Sequence, residues 1–198
     1  MINTGYKVKK VLSRGFTLVE LLIVIAIIGT LAVVVLVAIN PVQQLAKTRD
    51  TGRKSTTQQL GHALEAFSVN NNGTYVPESA NWMTALVTSG ELTSVPGSIN
   101  YAVTGVTACT TNTPAGGAAG SGYCYATTGG ASTPGGGPVI VFARLEATAD
   151  ISRCTALNAS YNRAYAIYSS ALGKGGVVCK TGADPVIGDG ASVSNWLP

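Results

Sequence analysis

The sequence predicts an α+β fold: a long N-terminal membrane-spanning α-helix, kinked near Pro41, packed on a small antiparallel β-sheet head. Three observations predict it. Residues 16–39 hold one charged residue, Glu20, in 24 positions. Farther on, Leu60, Ala63, Leu64 and Phe67 recur at the spacing of one helix face. Beyond residue 98 the pattern turns to short β-rich segments separated by Gly/Thr/Pro-rich stretches.

Of 198 residues, 46% are hydrophobic, and that average hides a sharp division along the chain. Lys7, Lys9, Lys10 and Arg14 precede the apolar run without an acid among them. The nine other basic residues balance nine acidic ones, so the formal charge of +4 belongs to the N-terminal segment. This distribution argues against a nucleic-acid surface, which needs clustered cations. Bases placed before a hydrophobic span predict a cytoplasmic N-terminus and export of the chain beyond the span.

The chain falls into four segments. Residues 1–15 are a short basic leader. Residues 16–39 make a helix about 36 Å long at 1.5 Å per residue, enough to cross a bilayer. The run is too long for the apolar part of a secretory signal and has no Ala-x-Ala site at its far end, so it reads as a permanent anchor. Asn40-Pro41 breaks or kinks it, with Asn40 placed to cap a new helix, Pro41 at its first position and Gln43 near enough to complete a capping-box-like exchange. Residues 40–70 continue the long helix on the exported side, polar on every face from 47 to 59, and the asparagines at 70–72 with Gly73 end it. Residues 71–198 form the head. There Asn81 caps a short helix carrying Trp82, Leu86 and Val87, and strands are expected at 99–103, 123–127, 139–145, 164–169 and 177–180. The stretches 110–122 and 128–138 have turn composition.

Cys109, Cys124, Cys154 and Cys179 all lie in the head, none in a Cys-x-x-Cys pair, and the single histidine, His62, is far from them in sequence. Two disulfides in an oxidising compartment are favoured over a zinc site. Three connectivities are open; Cys109–Cys124 with Cys154–Cys179 is preferred because each closes a short loop.

The residues Arg14-Gly15-Phe16-Thr17-Leu18-Val19-Glu20 resemble the cleavage motif of type IV pilins and of the pseudopilins of type II secretion. The resemblance implies that a prepilin peptidase cuts between Gly15 and Phe16 and methylates Phe16 as the new N-terminal residue. A glycine suits an exposed scissile bond, having no side chain to obstruct approach, and cutting before the apolar run leaves that helix on the mature protein. Glu20 is the oddity, since a carboxylate costs on the order of 2.5–3.5 kcal/mol near the centre of a membrane helix and less near an end. The resemblance implies that it pairs with the amine of a neighbouring subunit and fixes axial register during assembly. Two plainer readings stand beside this: Glu20 in interfacial water, or Glu20 protonated. The resemblance continues through residues 72–77, Trp82, 86–92 and Val95-Pro96, which look like the helix-to-sheet connector of these proteins. It departs in the apolar segment, where many pilins carry a proline and this chain has only Gly29. Ala26, Gly29 and Ala32 allow close helix approach, a weak signal in any membrane span.

Other features read plainly. His62 lacks a catalytic partner in any recognisable motif and is expected at a surface or interface. Asp184 and Asp189 are weak calcium candidates in a loop unlike an EF-hand, and a solvated turn is favoured. Lys47, Arg49, Arg53 and Lys54 form a basic cluster facing lipid head groups, acids of adjacent subunits, or simply water. Asn72 and Asn158 open glycosylation-type tripeptides that are uninformative by themselves.

The function expected is a non-enzymatic structural subunit of a type IV pilus or related pseudopilus, without a cofactor. The alternative is a minor, membrane-tethered binding module at a fibre tip, recognising DNA or a surface. Expected partners are further copies of the chain in a homopolymer or mixed filament, the prepilin peptidase, the assembly platform and ATPase, and the membrane; no specific nucleic acid is expected. The precursor is placed in the cytoplasmic membrane, and the mature form in an extracellular pilus or a periplasmic pseudopilus.

Overall fold

A computed structural model describes residues 15–78, 81–109, 122–129, 135–192 and 194–198. Residues 1–14 of the leader, and 110–121 and 130–134 of the two turn-rich stretches, lie outside the described residues. The chain divides into two compact units, residues 1–41 and 42–198.

In the first unit, helix α1 (Leu18–Ala38) has 21 residues and a mean hydropathy of 3.2 in its most apolar window, with none of that window buried. At 1.5 Å per residue it is about 32 Å long, the thickness of a bilayer's hydrocarbon core. Ile39 leaves the helix in an extended conformation (φ −98°, ψ 108°) while its N–H still donates to the Val35 carbonyl at 3.0 Å. A proline disfavours helical geometry in the residue before it, and here the interruption falls on residues 39 and 40.

The second unit opens with α2 (Pro41–Asn70), followed by α3 (Trp82–Thr88), β1 (Tyr123–Thr127), β2 (Val139–Arg144), α4 (Thr148–Leu157), β3 (Arg163–Ser169), β4 (Lys174–Lys180) and α5 (Ile187–Ala191). The strands form one antiparallel sheet in the order β1-β2-β3-β4. The expected α+β class therefore holds. Past the end of α2, Asn72 and Gly73 both take positive φ (54° and 78°), and the Gly73 amide donates to Ser68 O at 2.8 Å. That left-handed turn closes the helix as the Asn/Gly run predicts.

Both faces of the sheet are covered, so β1 and β2 are buried at every position rather than alternately. On one face Leu60, Ala63 and Leu64 of α2 join Trp82, Met83 and Leu86 of α3 over Tyr123, Tyr125, Val139, Val141 and Ala143, with Phe67 packed at the margin. A Cβ on Gly61 would lie 2.1 Å from the Tyr168 ring, so only glycine lets this part of α2 meet β3. On the other face Ile140, Phe142, Tyr165, Ile167 and Val178 pack with Trp196. Residues 195–197 run along β4: Cys179 N–H donates to Asn195 O and Leu197 N–H to Val177 O, each at 2.8 Å. The disulfides are Cys109–Cys124, reaching into β1, and Cys154–Cys179, tying α4 to β4.

Three expectations are corrected. Residues 99–103 are not a strand. The amides of Ala102 and Val103 donate to a Glu146 carboxylate oxygen at 3.0 and 3.2 Å, a side chain taking the place of a ladder. Helix α4 occupies a stretch read as connection. Asn81 stands at the N-cap of α3 but makes no side-chain capping bond.

Candidate processing and assembly site

Gly15, Phe16 and Thr17 precede the first turn of α1 without helical structure, and all three are exposed, Phe16 by 82%. The Gly15–Phe16 peptide is thus accessible to an enzyme. A Cβ built on Gly15 meets nothing within 4 Å, so the fold itself makes no demand for glycine there. Any such demand comes from whatever binds the peptide.

Glu20 sits in the first turn of α1, and Thr17 is the N-cap. The Thr17 amide donates to Glu20 Oε2 at 2.9 Å and the Thr17 hydroxyl to the same oxygen at 2.7 Å; the Glu20 amide donates to Thr17 Oγ1 at 3.2 Å. This is a capping box, in which a cap residue and the residue three further on satisfy each other's donors. The carboxylate is therefore held by its own helix start, with Oε1 carrying no partner among the described residues. Sequence reasoning weighed only water, a proton or a neighbour's amine for Glu20. The signal was present all the same: Thr-x-x-Glu before an apolar run is a capping-box pattern.

The basic cluster of α2 is turned largely inward, correcting the solvated or lipid-facing reading for three of its four residues. Arg53, 3% exposed, donates to Asp50 and, at 3.0 Å, to both Glu146 Oε1 and Asn100 O, and its guanidinium lies 4.3 Å from the Tyr101 ring centre. Arg49 also donates to Glu146, and Lys54 to Asp150 at 2.7 Å. Asp50 accepts from the amides of Glu146 and Ala147, and Gln43 Oε1 from the Thr148 amide at 2.9 Å, so α2 supplies acceptors to the first amide of α4 and to the two before it. Burial pushes the Asp50 carboxyl above its ordinary range against those two amides and Arg53. Burial also acts on Glu146, but the Arg49 hydrogen bond, the two loop amides and Arg53 outweigh it and hold that carboxyl below its ordinary range.

Asp184 accepts from the Tyr165 hydroxyl at 2.7 Å, whereas Asp189 accepts from Lys180 at 2.8 Å, Asn195 at 3.1 Å and the Val186 amide at 2.7 Å. The two carboxylates serve different partners. Among the described residues no group of three or more His, Cys, Asp or Glu side chains is assembled for a metal. His62 is exposed, edge-on to Tyr168 with 5.0 Å between ring centres.

An exposed peptide thus precedes a capped apolar helix, the one helix among the described residues long and apolar enough to cross a membrane, with a disulfide-linked α+β head later in the chain. Residues 12–36 match the prokaryotic N-terminal methylation motif, consistent with the type IV pilin and pseudopilin family. No curated protein and no solved structure matches the chain. The motif and α1 together are consistent with a membrane-anchored, prepilin-like precursor with a structural or assembly role.

Proposed function

We propose that the chain is a structural pilin of a type IV pilus or related pseudopilus, cut between Gly15 and Phe16, methylated on Phe16 and polymerised through α1. What supports the reading is the position of the exposed Gly15–Phe16 peptide directly before an apolar helix none of whose residues is buried among the described residues. Cleavage there releases the basic leader and leaves a helix for which lipid and the same helices of other copies are equivalent apolar surroundings, so transfer from membrane to fibre is not strongly uphill. Glu20, one oxygen bound by Thr17, offers the other to the amine of an adjoining subunit. The partners are a prepilin peptidase, an assembly platform with its ATPase, and further copies. The head is assigned no catalysis.

The test is mass analysis of the native N-terminus together with recovery of sheared fibres. The expected mature chain begins at methylated Phe16 and is the main protein of the fibres. Gly15→Ala is processed, and a bulky residue at 15 blocks cutting. A mature chain starting beyond residue 39 overturns the proposal.

A further inference from the structure

We propose that a second copy of this chain docks the start of its α2, around Lys47, into the groove between the later half of α2 and residues 91–96 of the first copy. The inference rests on the filament reading and names a contact between heads that supplements the one between α1 helices.

The first observation is a cation without a partner among the described residues. The other described lysines and arginines each meet a carboxylate, a hydroxyl, a carbonyl or an aromatic ring. Lys47 is exposed and has no such group against it among the described residues. Beside it Val42 and Leu45, 51% and 59% exposed, are left uncovered by the head.

The second observation is a surplus of acid at the other end of the same helix. Glu91 takes the Asn70 amide at 2.7 Å, and Glu65 faces His62 at 3.9 Å; neither has a lysine or arginine among the described residues. Glu91 lines a groove of about 670 Å³ with Leu60, Ala63, Ala66, Leu92 and Pro96. Polar Thr56, Gln59 and Thr93 share the lining, so the groove offers an apolar strip beside one carboxylate, the complement of an exposed Leu45 beside a lysine.

Lys47 and Glu65 are 18 residues apart on α2, about 27 Å along its axis, well beyond the distance over which salt screens exposed charges. They do not neutralise one another inside one copy. Both copies enter the assembly from the same membrane with the same polarity, so a parallel, axially staggered pair brings the two ends together, whereas an antiparallel pair would need one copy inverted. Such a contact is heterologous: each copy offers a used and an unused end, and repetition extends an open helical array.

The test uses the full-length protein expressed with its assembly machinery, scoring the mature membrane pool and the sheared fibres separately. Lys47→Glu and Glu91→Lys each lower fibre yield by about tenfold, and the double variant returns it to within about threefold of wild type, because a reversed pair restores attraction. The membrane pool and processing are unchanged in all three. Fibres at normal yield with either single variant, or a double variant no better than the singles, overturn the inference while leaving the filament reading intact. A membrane pool depleted by Lys47→Glu overturns it in favour of contact with lipid head groups. Absence of fibres from the wild-type chain fails the filament reading itself.

Discussion

Thr17 and Glu20 satisfy each other in both directions, the threonine amide and hydroxyl donating to the carboxylate and the glutamate amide donating back. This separates two roles of Glu20 that a single alanine variant would confuse. Glutamine at that helix position also completes a capping box, so Glu20→Gln removes the charge and keeps the cap, while Glu20→Ala removes both. Both variants are expected to be cut after Gly15 and to accumulate in the membrane, with sheared fibres reduced at least about tenfold by loss of a buried charge's partner. Normal fibre yield from Glu20→Gln means that the charge is not used in assembly. Failure of cleavage alone reassigns Glu20 to peptidase recognition.

The Glu146 carboxylate joins α2, through Arg49 and Arg53, to the amides of Ala102 and Val103. Glu146→Gln takes away the carboxylate partner of half-buried Arg49 and one of the two carboxylates on Arg53, Asp50 remaining, and is expected to destabilise the head by about 1.5–3 kcal/mol at neutral pH, the worth of hydrogen bonds to a charged group. The folded carboxyl is held below its ordinary 4.5, so its contribution is complete above that value and is lost as pH falls through the folded one. Asp50, raised by burial above 3.8, has the opposite sign, its protonated form being favoured by folding. Urea denaturation of full-length protein in detergent should show the Glu146→Gln penalty shrinking as pH drops below 4.5. A penalty that does not change with pH contradicts the assignment.

The two disulfides close intervals of 15 and 25 residues. Loop-closure arguments assign each about 3 kcal/mol of stability. Since Cys154–Cys179 binds α4 to β4, replacing both cysteines by serine should raise hydrogen exchange in residues 148–157 before the sheet is affected. Equal exchange with and without the bond shows that the Asp50, Gln43 and Lys54 contacts and the packing of Ile151 hold α4 without it.

The anchor helix, the end of α2 at the Asn/Gly run and the four strands were legible because each is a local pattern: an unbroken apolar run, a turn signal, a β-rich segment between glycines. Helix α4 was not, because Gln43 and Asp50, the acceptors for the amides at and just before its start, lie about a hundred residues away, and Ala147 offers no local cap. Residues 99–103 have strand composition, but their donors are taken by Glu146. The polar middle of α2 reads as solvated on any helical projection; only the fold reveals that Asp50, Arg53 and Thr57 point into the head. At the candidate processing site Gly15, Phe16 and Glu20 fall within the matched methylation motif, while the Thr17–Glu20 cap follows from Thr-x-x-Glu before an apolar run.

Residues 195–197 lie along β4 and occupy the hydrogen-bonding groups of that edge. These residues follow all four strands in the chain, so the β4 edge is open whenever the strands pair before residues 195–197 settle on it. An open edge is a template for pairing with another chain. The head is thus most prone to cross-pairing before residues 195–197 dock. The short link through residues 181–194 keeps residues 195–197 at high effective concentration near their own β4, which favours self-closure over capture by a neighbour.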